Sequence, residues 1–222
     1  MRKILVGAVS MLAIALLPAV SANAQVRVLT FEGVANDTEV GSFYSGITFS
    51  GNAFGLVRTN LGGSGNFGGE PSPGTAAVFS DFPGEPAYIN VAGGFSNGFG
   101  TYYSAPGVPG SLGVFSGMNG TGTLLATLML PVTPFGSVAG CPPNPGASFC
   151  PFSFVGTSFN GVAQSVSFGS ALNDFVFDDI TIGSARAVTT VPEPSTVVLV
   201  GAGLLAVVGV RSRRRAYRTI HS

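Results

Sequence analysis

Between residues 25 and 185, apolar residues come in short runs broken by Gly, Pro, Asn and Ser. No stretch there holds the 3.6-residue spacing of an amphipathic helix. Short runs punctuated by turn formers predict an all-β fold, a sandwich or a barrel. Strands are predicted near Val26–Phe31, Gly46–Ser50, Phe54–Val57, Ala76–Phe79, Ala87–Val91, Phe99–Ser104, Leu112–Phe115, Leu124–Leu130, Phe152–Phe159, Val162–Phe168 and Asn173–Ile182.

Three runs carry more detail. Leu124, Ala126, Leu128 and Leu130 alternate with Leu125, Thr127 and Met129. Both sets are largely apolar, which predicts a central strand. Val162, Gln164, Val166 and Phe168 alternate with Ala163, Ser165 and Ser167, the pattern of a strand with one wet face. Asn119-Gly120 lies between Val114-Phe115 and Leu124 and signals a hairpin turn. From Leu61 to Gly74 the chain is too rich in glycine for a strand. It lacks the Lys-Ser/Thr and the following helix of a phosphate cradle, so it reads as a long surface loop of the kind that rims binding faces.

The two ends follow another logic. Arg2 and Lys3 precede the apolar run Ile4–Leu17, Pro18 breaks it, and Ala22-Asn23-Ala24 offers a small-x-small cleavage site. Residues 1–24 thus read as a secretory signal peptide, with cleavage between Ala24 and Gln25. After a linker at 186–191, the chain reads Val191-Pro192-Glu193-Pro194, then an apolar segment at about 195–211, then Arg211, Arg213, Arg214 and Arg215, with a basic tail to 222. The prolines hold the motif extended. The uncharged run suits a transmembrane helix, and the arginines would stop it on the cytoplasmic side.

Leaving both ends out changes the charge. The chain is formally neutral, but the exported part keeps three arginines against nine acids, a net of −6. Phosphate neutralisation needs Lys and Arg, so nucleic acid is excluded as a partner. Cys141 and Cys150 are the two cysteines. In an exported domain they are expected to pair across their turn-rich loop, two free thiols being the alternative.

Little here points to catalysis. The single histidine is His221, in the tail, so triads, Cys-His pairs and His-based zinc sites drop out of the exported part. A carboxylate pair of the glycosidase type stays open, although no spacing marks one and tryptophan is absent. Asp178-Asp179 interrupts an apolar run. Phe175 and Phe177 precede it on one face, while Ile180 and Ile182 follow on the opposite parity. Either the strand is apolar on both sides or a bulge resets its register. Buried, the pair needs a partner such as calcium; otherwise both aspartates face water at a strand edge.

The C-terminal segment resembles the PEP-CTERM sorting signal of exported bacterial proteins: a Pro-Glu-Pro motif, a membrane segment and a basic tail. That resemblance implies the export machinery, the inner membrane and an exosortase-type peptidase as partners. It also implies delivery to the cell surface or extracellular space, with a membrane anchor before processing. Leu29-Thr30-Phe31-Glu32-Gly33, Tyr44-Ser45-Gly46-Ile47-Thr48-Phe49 and Phe177-Asp178-Asp179-Ile180-Thr181 are similar to segments of jelly-roll domains of the galactose-binding-like type. In that fold the first and last strands are neighbours, and the likeness implies a structural calcium held by Glu32 with Asp178 or Asp179. The expected function is a non-enzymatic envelope or matrix protein associated with exopolysaccharide. A carbohydrate-binding module and a carboxylate-based glycoside hydrolase are the alternatives.

Overall fold

The computed structural model describes residues 26–136 and 140–188. Ten strands form one antiparallel sheet: β1 (Arg27–Leu29), β2 (Thr38–Glu39), β3 (Ile47–Phe49), β4 (Ala53–Val57), β5 (Thr75–Phe79), β6 (Tyr88–Ser104), β7 (Gly110–Phe115), β8 (Leu124–Leu130), β9 (Ser153–Ser167) and β10 (Val176–Ile182). Their order is β2-β4-β5-β10-β6-β9-β7-β8, with β1 added beside β10 and β3 beside β6. The all-β class is as expected, and the sheet is consistent with a sandwich.

Two strands are much longer than their hydrophobic runs predict. Ala87–Val91 and Phe99–Ser104 are the two halves of β6, and Phe152–Phe159 and Val162–Phe168 fall largely within β9. The glycines between the halves bend each strand without ending it. The β6–β9 ladder shifts register between Asn90 and Asn97, where Gly93 and Gly94 lie. Such an irregularity turns a strand sharply. One half of β6 therefore pairs with β3 and the other with β10.

The expected faces of β9 hold at Val166 and Phe168, which are buried, and fail before them. Val162 is exposed, and Ala163 and Ser165 are buried beside Val166. Ser165 is satisfied under the β7–β8 turn: its hydroxyl donates to the Gly117 carbonyl (2.5 Å) and accepts from the Gly120 amide (2.9 Å). That turn is a hairpin connection through Asn119 (φ 58°) and Gly120 (φ 68°), as Asn-Gly predicts. β8 itself is an edge strand, not a central one. Its Leu128 and Leu130 are fully buried and Leu125 and Ala126 are half-buried against the core, while Leu124, Thr127 and Met129 are exposed.

β10 is the central strand, and all seven of its residues are buried. A bulge at Asp178–Asp179 shifts its register against β6, with Asp179 at φ 45°. The bulge sends Phe177, Ile180 and Ile182 into one core despite their opposite parity. Phe79, Phe168 and Phe177 meet there, the first two stacked at 4.1 Å between ring centroids. Val176 faces the other way, into a smaller cluster with Phe67 and Ala76. β1 lies antiparallel along the second half of β10, Leu29 opposite Ile180 and Arg27 opposite Ile182.

The glycine-rich stretch is a loop, but not a free rim. A 3-10 turn at Thr59–Leu61 opens it, and Phe67 and Glu70 are buried. Glycine is required where it folds back, since a Cβ on Gly63 would lie 2.0 Å from the Val57 carbonyl oxygen. Cys141 and Cys150 are joined by a disulfide, Cα atoms 5.8 Å apart, and the bridged loop lies against this stretch. Asn144 donates to the Phe67 carbonyl (2.8 Å), Asn60 to the Pro143 carbonyl (3.0 Å), and the Ser148 amide to Asn66 (3.1 Å). Among the described residues no helix is long and apolar enough to cross a membrane. The expected signal peptide with Ala24 and Gln25, the Val191–Pro194 motif, the expected span at 195–211 and the arginine cluster all lie outside the described residues.

Candidate functional site

The most polar buried region lies where β1, β10 and the glycine-rich loop converge. Phe31 turns the chain out of β1 with φ 60°, its amide donating to the Tyr44 hydroxyl (2.6 Å). That turn sends Glu32 toward the loop. The bulge in β10 sends Asp178 and Asp179 to the same place. What they meet is Glu70-Pro71-Ser72-Pro73-Gly74, followed by Thr75.

Two prolines remove two amides from this segment. The three main-chain amides from Ser72 to Thr75 that remain all go to carboxylates. Ser72 donates to Asp178 Oδ2 (2.9 Å), Gly74 to Glu70 Oε1 (2.9 Å) and Thr75 to Glu32 Oε1 (3.0 Å). The Ser72 hydroxyl donates to Asp179 Oδ1 (2.6 Å), and Asp178 Oδ1 accepts the Asp179 amide (2.7 Å). Glu32, Asp178 and Asp179 thus fasten one short strap.

Two participants escape the sequence reading. Arg58 and Glu70 form a buried ion pair, Nε 2.9 Å from Oε1, with side chains 7% and 1% exposed. The approach is off the N–H direction, so the contact is a charge pair without a hydrogen bond, and Glu70 Oε2 has no hydrogen-bond partner among the described residues. Their signal is present in the chain. Arg58 is one of three arginines in the exported part, and Glu70 opens a Pro-Ser-Pro stretch between glycines.

The electrostatics follow from burial. Burial, reinforced by the neighbouring Asp179 carboxylate, pushes Asp178 up to about 9. Burial also raises Asp179. Glu32 is raised by burial, with Glu70 and Asp179 adding to it and the Thr75 amide and Arg58 opposing. Four carboxylates facing one guanidinium leave the region short of positive charge. Every donor is a hard oxygen, the chemistry calcium takes. The spacing is less favourable: among the described residues no group of three or more His, Cys, Asp or Glu side chains is gathered to hold a metal ion.

Two surface hollows lie elsewhere. One of about 190 Å³ sits over β4, β5 and β10, lined by Leu56, Val78, Phe149 and Val176 with Ser64, Asn66, Ser80 and Asn173. The other, about 230 Å³, lies along β7 beside Phe115, Leu124, Thr127 and Ser167. Neither is lined by a carboxylate.

Comparison with known proteins adds the class. Residues 190–215 match the PEP-CTERM protein-sorting motif. The chain therefore carries the C-terminal signal of an exported protein that is membrane-anchored for sorting and processed by an exosortase. No curated protein matches the chain. Among solved structures it is similar to a family 43 glycoside hydrolase, an arabinoxylan arabinofuranohydrolase from Bacillus subtilis in complex with cellotetraose. The TM-score is 0.38 at 16% identity, over 63% of this chain and 26% of that one. It is also similar to the catalytic domain of a family 87 alpha-1,3-glucanase in complex with tetrasaccharides, with TM-score 0.40 and 11% identity over 77% of this chain and 30% of that one. The chain spans less than a third of either enzyme, and likenesses this weak carry no argument about what it binds.

Proposed function

We propose that this is a non-enzymatic β-protein of the cell envelope or extracellular matrix, associated with exopolysaccharide and released or retained through its C-terminal signal. The observation that carries this reading is the sorting motif at 190–215. The use of the buried carboxylates supports its non-enzymatic part. Each one accepts a hydrogen bond from the 70–75 strap, so their acceptor oxygens are engaged in holding the fold.

The test is fractionation and intact-mass measurement of the parent and of a Pro192→Ala/Glu193→Ala/Pro194→Ala variant. The parent should reach the envelope or medium without Arg211 to Ser222, and the variant should keep its tail in the inner membrane. A parent that retains the tail would overturn the reading.

A second reading is a carbohydrate-binding module of jelly-roll type. It is favoured by the hollow over β4, β5 and β10, which sets four amide and hydroxyl side chains around Phe149. A glycan array separates the two, since saturable binding to a defined oligosaccharide would establish the module.

Structural calcium belongs to the same proposal. Both Asp178 oxygens already accept amides, so Glu32, Asp179 and the unpartnered oxygen of Glu70 offer the remaining donors. These carboxylates would have to draw closer around the ion. Stabilisation should then grow by about 1.4 kcal/mol for each tenfold rise in free calcium above the dissociation constant. Melts in calcium and in chelator test it, and coincident curves would exclude the ion.

A further inference from the structure

From Pro86 to Asn173 the chain has no Asp, Glu, Lys, Arg or His. That stretch supplies β6, β7, β8 and β9, so one side of the sheet is built without charge. The carboxylates and Arg58 lie on the other side, around β1, β2, β10 and the loops flanking β4 and β5. The two ends of the sheet differ accordingly. β2 is a two-residue exposed strand with Glu39 in it and Asp37 beside it, the short charged edge that resists further pairing. β8 is the opposite. It runs for seven residues, Leu124–Leu130, with no charge, proline or glycine. Among the described residues its sheet partner is β7 alone, which leaves the outer row of N–H and C=O groups unpaired. Leu124 is 51% exposed, Met129 64% and Val132, just beyond, 50%.

We propose that β8 is the seam of a homodimer, pairing antiparallel with β8 of a second copy about a two-fold axis at Thr127. The charge distribution selects this occupant. A basic or acidic partner finds no complement on an uncharged edge, whereas a second copy brings an edge equally free of charge. In an isologous pair each residue meets its symmetry-related counterpart. Centred on Thr127, that sets Thr127 opposite Thr127, Leu125 opposite Met129 and Ala126 opposite Leu128, with no like charges facing. It also places the acidic sides, which carry the net −6 of the exported part, at the two far ends of the joined sheet. Main-chain hydrogen bonds would hold the seam.

Charge placed on the axis tests this. Thr127 is exposed, so Thr127→Lys and Thr127→Glu leave the core untouched. Sedimentation velocity on exported, processed protein should show the parent as a dimer at micromolar concentration. Each single variant should sediment as a monomer, its association weakened about tenfold or more by like charges on the axis, with an unchanged circular dichroism spectrum and melting temperature. An equimolar mixture of the two variants should return to the dimer, because Lys then faces Glu. A parent that stays monomeric across the range would overturn the proposal. So would a Lys variant that dimerises as firmly as the parent, or a folded mixture that remains monomeric.

Discussion

Replacing Cys141 and Cys150 with serine removes the link that keeps the bridged loop on the glycine-rich loop. The closed segment has a sequence separation of 9. In the chain-entropy account a loop of that length contributes about 2.5–3 kcal/mol. Pro142, Pro143 and Pro145 already restrict the unfolded segment, which favours the lower figure. If the loop stays docked, that is the whole cost. If it lifts away, the bonds from Asn60, Asn144 and Ser148 go too, at about 1 kcal/mol each, giving a total near 6 kcal/mol. For a chain of this size each kcal/mol is about 2–4 °C in melting temperature, so a fall of about 5–10 °C is expected with the loop docked. Calorimetry on the oxidised parent and the Cys141→Ser/Cys150→Ser protein reads the total. Hydrogen exchange at the Gly68 amide, which bonds to the Phe149 carbonyl at 3.3 Å, reports whether the loop lifts. Equal melting temperatures with equal Gly68 protection would refute the reasoning, because the bridge would then restrain nothing that the folded contacts do not already hold.

Arg58→Met should cost about 3–5 kcal/mol in urea unfolding, because it leaves the buried Glu70 unpaired, and Arg58→Met/Glu70→Met should regain most of that. Asp178 is raised on folding, so the folded state holds its proton more tightly than the unfolded state between pH 4 and about 9. Stability from this group is therefore fully present below pH 4 and is lost as pH rises toward 9, a slope that thermal melts should show and Asp178→Asn should remove. Ser72→Ala should lower stability by about 1–3 kcal/mol through the bond its hydroxyl makes to Asp179, as judged by chemical unfolding, while Ser72→Thr should keep much of it. Gly156→Ala should destabilise by about 1–3 kcal/mol, since its Cβ would lie 2.1 Å from the Ala185 carbonyl oxygen, and a melting temperature equal to the parent's would show that the segment at Ala185 is not held there.

Strand content was legible because Val, Phe, Thr and Gly alternate without helical spacing, and each predicted run overlaps a strand. What local pattern cannot carry is continuity. Glycines at 93, 94 and 161 look like punctuation in the sequence, yet the ladder between β6 and β9 runs past them because both strands bend together. Nor can it carry position in the sheet. The apolar second face of β8 predicts two covering neighbours, and the topology supplies one. β2 went unpredicted because two polar residues hold no pattern. At the candidate site, the conflict of parity around Asp178-Asp179 was visible, and the bulge resolves it. Glu32 was reached through resemblance. The strap between them was not, because its amides have no signature in side-chain types, and the Arg58–Glu70 pair spans a loop whose path the glycines alone do not determine.

The neighbouring arrangement of β1 and β10 bears on how the protein takes load. The sorting segment follows β10, so while the chain is anchored any drag on the folded part is transmitted to the Ile182 end of that strand. β10 is flanked by β1 on one side and β6 on the other along this half. Drawn along its own axis, a strand in that setting strains its ladder bonds together, whereas a strand at a free edge can be peeled away one bond at a time. The chain is thus tethered by the strand that is hardest to extract, and a pull on the anchored chain reaches the folded part at its most resistant point.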